Sequence, residues 1–212
     1  MEQHSTKEKS LELERLVFFS DAVVAIAITL LALDLKINKP EGTHLTFSDF
    51  LGAKHNFLAF FLSFLIIAVF WKIHHEFFVY IKEINARLLT YNALWLMFIV
   101  LLPFSTSLVS AHFYDTPAMF AYSLNILGIT FFQNAIWDYT VARPEMVKEN
   151  LTAEIKRDKI IACNIAMINA LLAVVISFIS PVIAFIILFT RLLMFKLSAQ
   201  YFKMKKTGRK KI

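Results

Sequence analysis

The chain has 212 residues, 58% of them hydrophobic, with a mean hydropathy of +0.62. Runs this apolar exceed what a soluble core can bury, so the chain reads as a polytopic membrane protein. With 4 Gly, 5 Pro and no low-complexity tract, it forms one all-α transmembrane domain over 1–212. The net charge of +6 sits in loops and a basic tail at 203–212. No aromatic-interleaved basic domain accompanies it, which favours contact with a lipid bilayer and argues against nucleic acid.

The arm 1–14, MEQHSTKEKSLELE, is polar and reads as a short amphipathic or frayed cytoplasmic segment. The apolar run behind it is longer than a signal-peptide core and lacks a small-residue cleavage site, so no processing is expected. A first span covers Val17–Leu33, long enough with its flanks to cross a hydrocarbon core of about 30 Å. The stretch Lys36–Asn56 holds Pro40, Gly42 and Gly52 and reads as a loop with an interfacial turn at Phe47–Leu51. Five further spans follow, near Phe57–Tyr80, Leu88–Ala111, Pro117–Val141, Lys159–Ile179 and Val182–Tyr201. A polar connection centred on Arg143–Lys156 separates the fourth from the fifth, and Ser180-Pro181 makes a tight hairpin before the sixth.

Orientation follows from the loop cations. Lys7, Lys9, Lys82, Arg87, Arg143, Lys148, Lys156, Arg157, Lys159 and the tail Lys203–Lys211 fall on one side, and only Lys36, Lys39 and Lys54 on the other. Both termini are therefore expected in the cytoplasm, with an even number of helices.

The first span is unusual in carrying charge: Arg15 and Asp21 bracket its first turns. An ionisable residue in a membrane segment is costly and faces protein or water, which predicts a partner for Asp21 inside a bundle. On a helical wheel Phe19, Ala22, Ile26, Leu30 and Leu33 share one stripe and Asp21 points away from it. Such a stripe suits lipid-facing or helix-packing contact, or the apolar constriction of a pore. The second span ends FWKIHHEFF, and its Trp71, His74 and His75 lie at the depth of Asp21, with Asn92 of the third span close by. A carboxylate beside imidazole is the partnering that Asp21 requires; separate interfacial residues, with Trp71 in an aromatic belt, are the plainer alternative.

No metal site is expected, because adjacent histidines diverge by about 100° on a helix. No P-loop, GxSxG or dinucleotide turn occurs, so neither an enzyme nor a cofactor is indicated. Asn125, Gln133, Asn134, Asn164 and Asn169 read as interhelical hydrogen-bonding residues, and the lone Cys163 as a small core residue. Arg191 is expected to snorkel, to pair with Asp138, or to mark a marginal last span.

Arg15-Leu-Val-Phe-Phe19-Ser20-Asp21 matches an RxxxFSD signature. With Trp71, His74, His75, Asn92 and the LLPFSTSLV stretch around Pro103, the chain resembles the prokaryotic branch of the transmembrane protein 175 family of potassium channels. The resemblance implies a six-helix subunit, a homotetramer in a prokaryotic inner or plasma membrane, and a central pore walled by the first helix that passes K⁺ and other monovalent cations. It also implies a constriction five, nine and twelve residues after the signature Asp, at Ile26, Leu30 and Leu33, with Thr29 able to present a hydroxyl to the ion. The sequence independently lacks the glycines and TVGYG-like run of a carbonyl-lined filter, and a pore walled by one helix per subunit requires symmetry mates. Asp34, Glu41, Asp49 and Asp115 lie toward the expected outer mouth, as cation-attracting or merely solvated charges. The rival reading is a secondary carrier or proton relay using Asp21, His74 and His75.

Overall fold

The computed structural model describes residues 2–191 apart from Asn38 and Glu41, and for residues 2–9 and Asp34 the backbone only. It is helical throughout: α1 Glu2–Leu30, extended by a 3₁₀ turn Leu31–Asp34; α2 Phe47–Gly52; α3 Lys54–Phe78; α4 Ala86–Ala111; α5 Thr116–Val141; α6 Ala153–Ser177; and the described part of a seventh helix, α7, Pro181–Arg191. The polar arm is thus no separate element but the first turns of α1. Among the described residues four helices are long and apolar enough to cross a membrane, over Ser10–Leu33, Lys54–Phe78, Ala86–Ala111 and Ala153–Ser177. Half of the expected sixth span, from residue 192 onward, lies outside the described residues.

The helix α5 is as long, with 26 residues, yet its Asn125, Gln133 and Asn134 lower its hydropathy. All three are buried, because α5 lies between α4 and α6, its main packing partners. A helix enclosed by protein need not be apolar, provided its polar groups find partners. They do so on neighbouring helices: Gln133 donates to Phe70 O at 2.9 Å and Asn134 to Cys163 O at 3.2 Å. Asn169 of α6 donates in the same way to Ile187 O of α7 at 3.0 Å. In contrast, Ile161, Ile165, Ile168, Leu172 and Val175 of α6 recur at helical spacing and stay exposed, as expected for a stripe against lipid.

The turn of α4 before its proline receives polar contacts from a neighbouring helix. Pro103 lies within this helix, lacks an N–H and crowds the preceding turn. Asn125 of α5 sits against that turn with its amide oriented by its neighbours: its nitrogen donates to Phe98 O at 3.0 Å, and its oxygen accepts from Leu102 N at 3.1 Å and from Ser105 Oγ at 3.0 Å. Phe98 O and Leu102 N are a pair that an unbent helix joins directly. Close approach of α4 and α5 is allowed by Gly128, where an added Cβ would meet the Phe98 ring at 2.5 Å.

Short connections fix the ends. Asn85 caps α4 by accepting from Leu88 N at 3.0 Å, and Thr152 caps α6 by accepting from Ile155 N at 3.3 Å. An isolated antiparallel bridge, Ile81–Val147, ties the connection after α3 to the one after α5. The expected interfacial turn is α2, held by Asp49, whose carboxylate accepts from Lys39 Nζ at 2.6 Å and from Thr46 N and Oγ1 at 2.7 Å each. These bonds, led by the one from Lys39, lower the Asp49 carboxyl from 3.8 to about 2.

Candidate pore-facing helix and its polar brace

The two long faces of α1 have opposite fates. Ser20, Val24, Ala27 and Leu31, spaced four, three and four residues apart, are buried against α3 and α4. The stripe singled out in the sequence is left open: Phe19 is 59% exposed, Ile26 61% and Leu33 68%, and Leu30, though half-buried by comparison at 38%, belongs to the same face. Leu33 lies in the 3₁₀ turn and not in the α-helix. At three residues per turn, side chains i and i+3 eclipse, so Leu33 stays above Leu30. Thr29 is exposed beside the stripe and donates its hydroxyl back to Ile26 O at 2.8 Å, which leaves the oxygen free to accept. Arg15 is exposed as well.

The buried face is held by a polar chain. Ser20 Oγ donates to Leu16 O at 2.8 Å and accepts from Asn92 Nδ2 at 3.0 Å; Asn92 Oδ1 lies 2.8 Å from His74 Nε2. Three helices, α1, α4 and α3, thereby meet through one amide. His74 is locked in orientation by stacking between Trp95, with centroids 4.2 Å apart, and Phe78 at 4.4 Å.

The expected partner of Asp21 is corrected by this geometry. Asp21 accepts from the Trp71 indole at 2.8 Å, while the hydrogen bond of His74 goes to Asn92 and His75 is exposed, 5.9 Å from the Trp71 ring. The signature residues therefore divide: Ser20 joins the buried chain, and Asp21, half-buried, clasps α3 at its surface. Both contacts join α1 to helices that carry the other sequence-identified residues, Trp71, His74 and Asn92.

Three features were missed in the sequence. Trp95, one turn after Asn92, supplies the slab on which His74 rests. Ser63, Thr106 and Tyr122 form a second buried cluster, with Thr106 Oγ1 donating to Ser63 Oγ at 2.7 Å and Ser63 Oγ lying 2.8 Å from Tyr122 OH. The signal for both was the spacing of polar or aromatic residues within apolar helices, which does not by itself say which helices meet. The role of Asn125 at Pro103 is the third. Arg191 neither snorkels nor pairs with Asp138: it is buried, donates to Thr130 Oγ1 at 2.8 Å and lies 4.1 Å from the Phe70 ring centroid.

The expected mouth charges have local partners where they are described. Asp49 binds Lys39, and Asp115 lies 3.2 Å from His112 Nδ1. Glu41 and the side chain of Asp34 lie outside the described residues. Among the described residues no three His, Cys, Asp or Glu side chains cluster to hold a metal.

Residues 15–103 match the family model described as endosomal/lysosomal potassium channel TMEM175. A protein of Streptomyces collinus named as a potassium channel is 34% identical over 128 residues, covering 58% of this chain and 62% of the relative. A potassium channel of Chamaesiphon minutus is 32% identical over 143 residues, 65% of this chain and 70% of the relative. The crystal structure of a lysosomal potassium-selective channel TMEM175 homolog from Chamaesiphon minutus superposes with a TM-score of 0.76 at 28% identity, covering 88% of this chain and 97% of that one.

Proposed function

The chain belongs to the TMEM175 family, and from that premise we propose that it is a potassium channel, formed by four copies of a six-helix subunit with cytoplasmic termini. The pore is walled by four copies of α1, with Ile26, Leu30 and Leu33 forming an apolar constriction and Thr29 the nearest hydroxyl to the ion path.

The observation that carries this reading is the division of α1. One face is tied to its own subunit by Ser20, Asn92 and His74 and packed through Val24, Ala27 and Leu31. The opposite stripe is apolar and open, although it belongs to the helix that bears the most specific motif of the chain. Four-fold symmetry would bring four such stripes around one axis. Aliphatic side chains offer no oxygen to replace a hydration shell, so an ion passes such a neck only when it is wide enough to wet, and permeation is governed by radius. Relative movement of α1 on α3 and α4 would widen it, and the brace sets how freely that movement occurs.

The relay alternative finds less support. From His74 the hydrogen bonds run through Asn92 and Ser20 and end on the backbone oxygen of Leu16. Asp21 belongs to a separate contact.

Recording from purified protein in a planar bilayer tests the proposal. Unitary K⁺ currents from particles of about four times 24.4 kDa support it; transport without unitary steps, or a stable monomer that conducts, overturns it.

A further inference from the structure

At the Lys/Arg-rich end of the bundle two guanidinium groups share one aromatic ring. Tyr139, in the last turn of α5, has the Arg143 guanidinium carbon 3.7 Å from its ring centroid and that of Arg87 at 5.8 Å. The ring is fixed from two sides, by Asn85 Nδ2, which donates to Tyr139 OH at 3.0 Å, and by Tyr91, edge-on at 5.5 Å. Arg143 is fixed in turn by donating to Tyr139 O at 2.8 Å. Arg87 is the second residue of α4, an end at which the helix dipole disfavours a cation.

Two like charges on one ring repel each other unless an anion joins them, and among the described residues neither guanidinium is paired with a carboxylate. Asp138 lies one turn after Asn134, which bonds Cys163 O, and so shares the face of α5 turned to α6. Glu83 has an interaction of its own. Glu145 and Glu149 are exposed in the connection after α5 and pair with neither arginine. The pair also faces away from the helices nearest the two chain ends. Tyr139 is nine residues beyond Thr130, which accepts from Arg191 of α7, and so lies about 180° around α5 from it; Arg87 is five residues before Asn92, which donates to Ser20 of α1, and lies about 140° around α4 from it.

From this pair a row of half-buried side chains follows the seam between α4 and α5. Tyr91, Leu94 and Phe98 of α4, at helical spacing, run opposite Tyr139, Ala135 and Phe132 of α5. Ring contacts join the two rows at both ends, Tyr91 to Tyr139 and Phe98 to Phe132, the latter with centroids 5.7 Å apart. Arg87 lies in the first turn of the apolar span Ala86–Ala111 and Tyr139 in the last turn of α5. The guanidinium groups are therefore at the level of lipid headgroups and the apolar seam at the level of the chains.

We propose that Arg87 and Arg143 bind the phosphate of an acidic phospholipid from the adjoining leaflet, with one acyl chain lying along the α4–α5 seam. Arg143 spends one of its five donors on Tyr139 O, and Arg87 donates to no group among the described residues, so both retain N–H groups for phosphate oxygens. A choline headgroup brings its own cation to two unpaired guanidinium groups, whereas a glycerol headgroup leaves the phosphate charge uncompensated; the pair therefore selects a net negative lipid. The proposal is independent of ion conduction.

Native mass spectrometry of delipidated, detergent-purified protein tests it, with phosphatidylglycerol and phosphatidylcholine added separately at equal concentration. The expected result is several-fold greater retention of phosphatidylglycerol, lost in Arg87→Gln/Arg143→Gln and kept in Lys156→Gln/Arg157→Gln, which removes the same charge from another connection at the same end. Inorganic phosphate and glycerol phosphate at millimolar concentration should displace little of the bound lipid, because neither fills the seam. Equal retention of the two lipids, equal loss in both double variants, or full displacement by inorganic phosphate overturns the proposal. A change in subunit number in the Arg87/Arg143 variant would assign the pair to a contact between copies of the chain and also overturn it. Arg87→Gln alone, which breaks no hydrogen bond of the described residues, gives the same readout if the double variant fails to fold.

Discussion

Replacing Asn125 with leucine removes the amide that spans the turn before Pro103. Three polar groups lose a partner: Phe98 O, Leu102 N and Ser105 Oγ. The serine hydroxyl can turn to Leu102 O, which lies 3.1 Å away, so the cost falls on the two backbone groups. At about 1–2 kcal/mol for each buried group left unsatisfied, the substitution destabilises the protein by about 2–4 kcal/mol. Pro103→Ala removes the ring and lets α4 rejoin Phe98 O to Leu102 N by itself. In that background Asn125→Leu should cost only about 1 kcal/mol, leaving a coupling of about 1–3 kcal/mol between the two sites. Reversible unfolding of the four proteins of this cycle in mixed detergent and dodecyl sulfate micelles, followed by circular dichroism and tryptophan fluorescence, measures it. Additive effects would refute the view that Asn125 substitutes for a broken helical bond; an amide acting only as a tie between helices has no reason to depend on Pro103.

Three more outcomes follow from single contacts. Trp71→Phe keeps the ring but removes the donor to Asp21, and should lower stability by about 0.5–1.5 kcal/mol in the same unfolding assay; Asp21→Asn in the Trp71→Phe background should then add little. Gly128→Ala drives a methyl into the Phe98 ring, which is stacked on Phe132 with centroids 5.7 Å apart, and should cost about 1–3 kcal/mol, relieved by Phe98→Leu. The carboxyl of Asp49, lowered from 3.8 to about 2 chiefly by Lys39, binds fewer protons folded than unfolded, so its contribution to holding α2 is complete above pH 3.8 and disappears as pH falls through about 2; carboxyl carbon shifts should report that titration, and a midpoint at the ordinary carboxylate value would contradict it.

The helices were legible because apolar length is a strong signal, and the orientation of α1 was legible because its stripe repeats at helical spacing. Val24 and Ile26, only two residues apart, illustrate this: the wheel separates them by about 160°, and the structure buries the first and exposes the second. Partnerships were less legible. The depth match of Asp21 with His74 and His75 was real, but depth fixes one coordinate only. Rotation of α3 about its axis brings Trp71 to Asp21 and turns His74 inward to Asn92, and that rotation depends on packing across Trp95 and Phe78, which no periodicity within one helix encodes. The same limit applies to Arg191: charge counting suggested headgroups or Asp138, whereas the last helix packs its guanidinium on Phe70 and Thr130. Polar residues within α5 and α6 pointed correctly to interhelical bonds, though Asn164 of α6 is exposed and takes no part in them. The use of Asn125 as a repair at Pro103 needed the distance between two helices that are 20 or more residues apart in sequence.

The central claim is that the open stripe of α1 faces the ions, and the most direct measurement compares Ile26→Asn with Val24→Asn in reconstituted liposomes, using K⁺ flux together with reversal potentials under K⁺/Na⁺ and K⁺/Cs⁺ gradients. Four amides in an apolar neck ease its wetting, so Ile26→Asn should raise cation flux and weaken discrimination among the three ions. Val24 is buried at 4% exposure, and its replacement should reduce the amount of assembled protein while leaving the selectivity of what assembles unchanged. Normal expression of Ile26→Asn with flux and selectivity equal to those of the unaltered protein would contradict the assignment of Ile26, Leu30 and Leu33 to the pore.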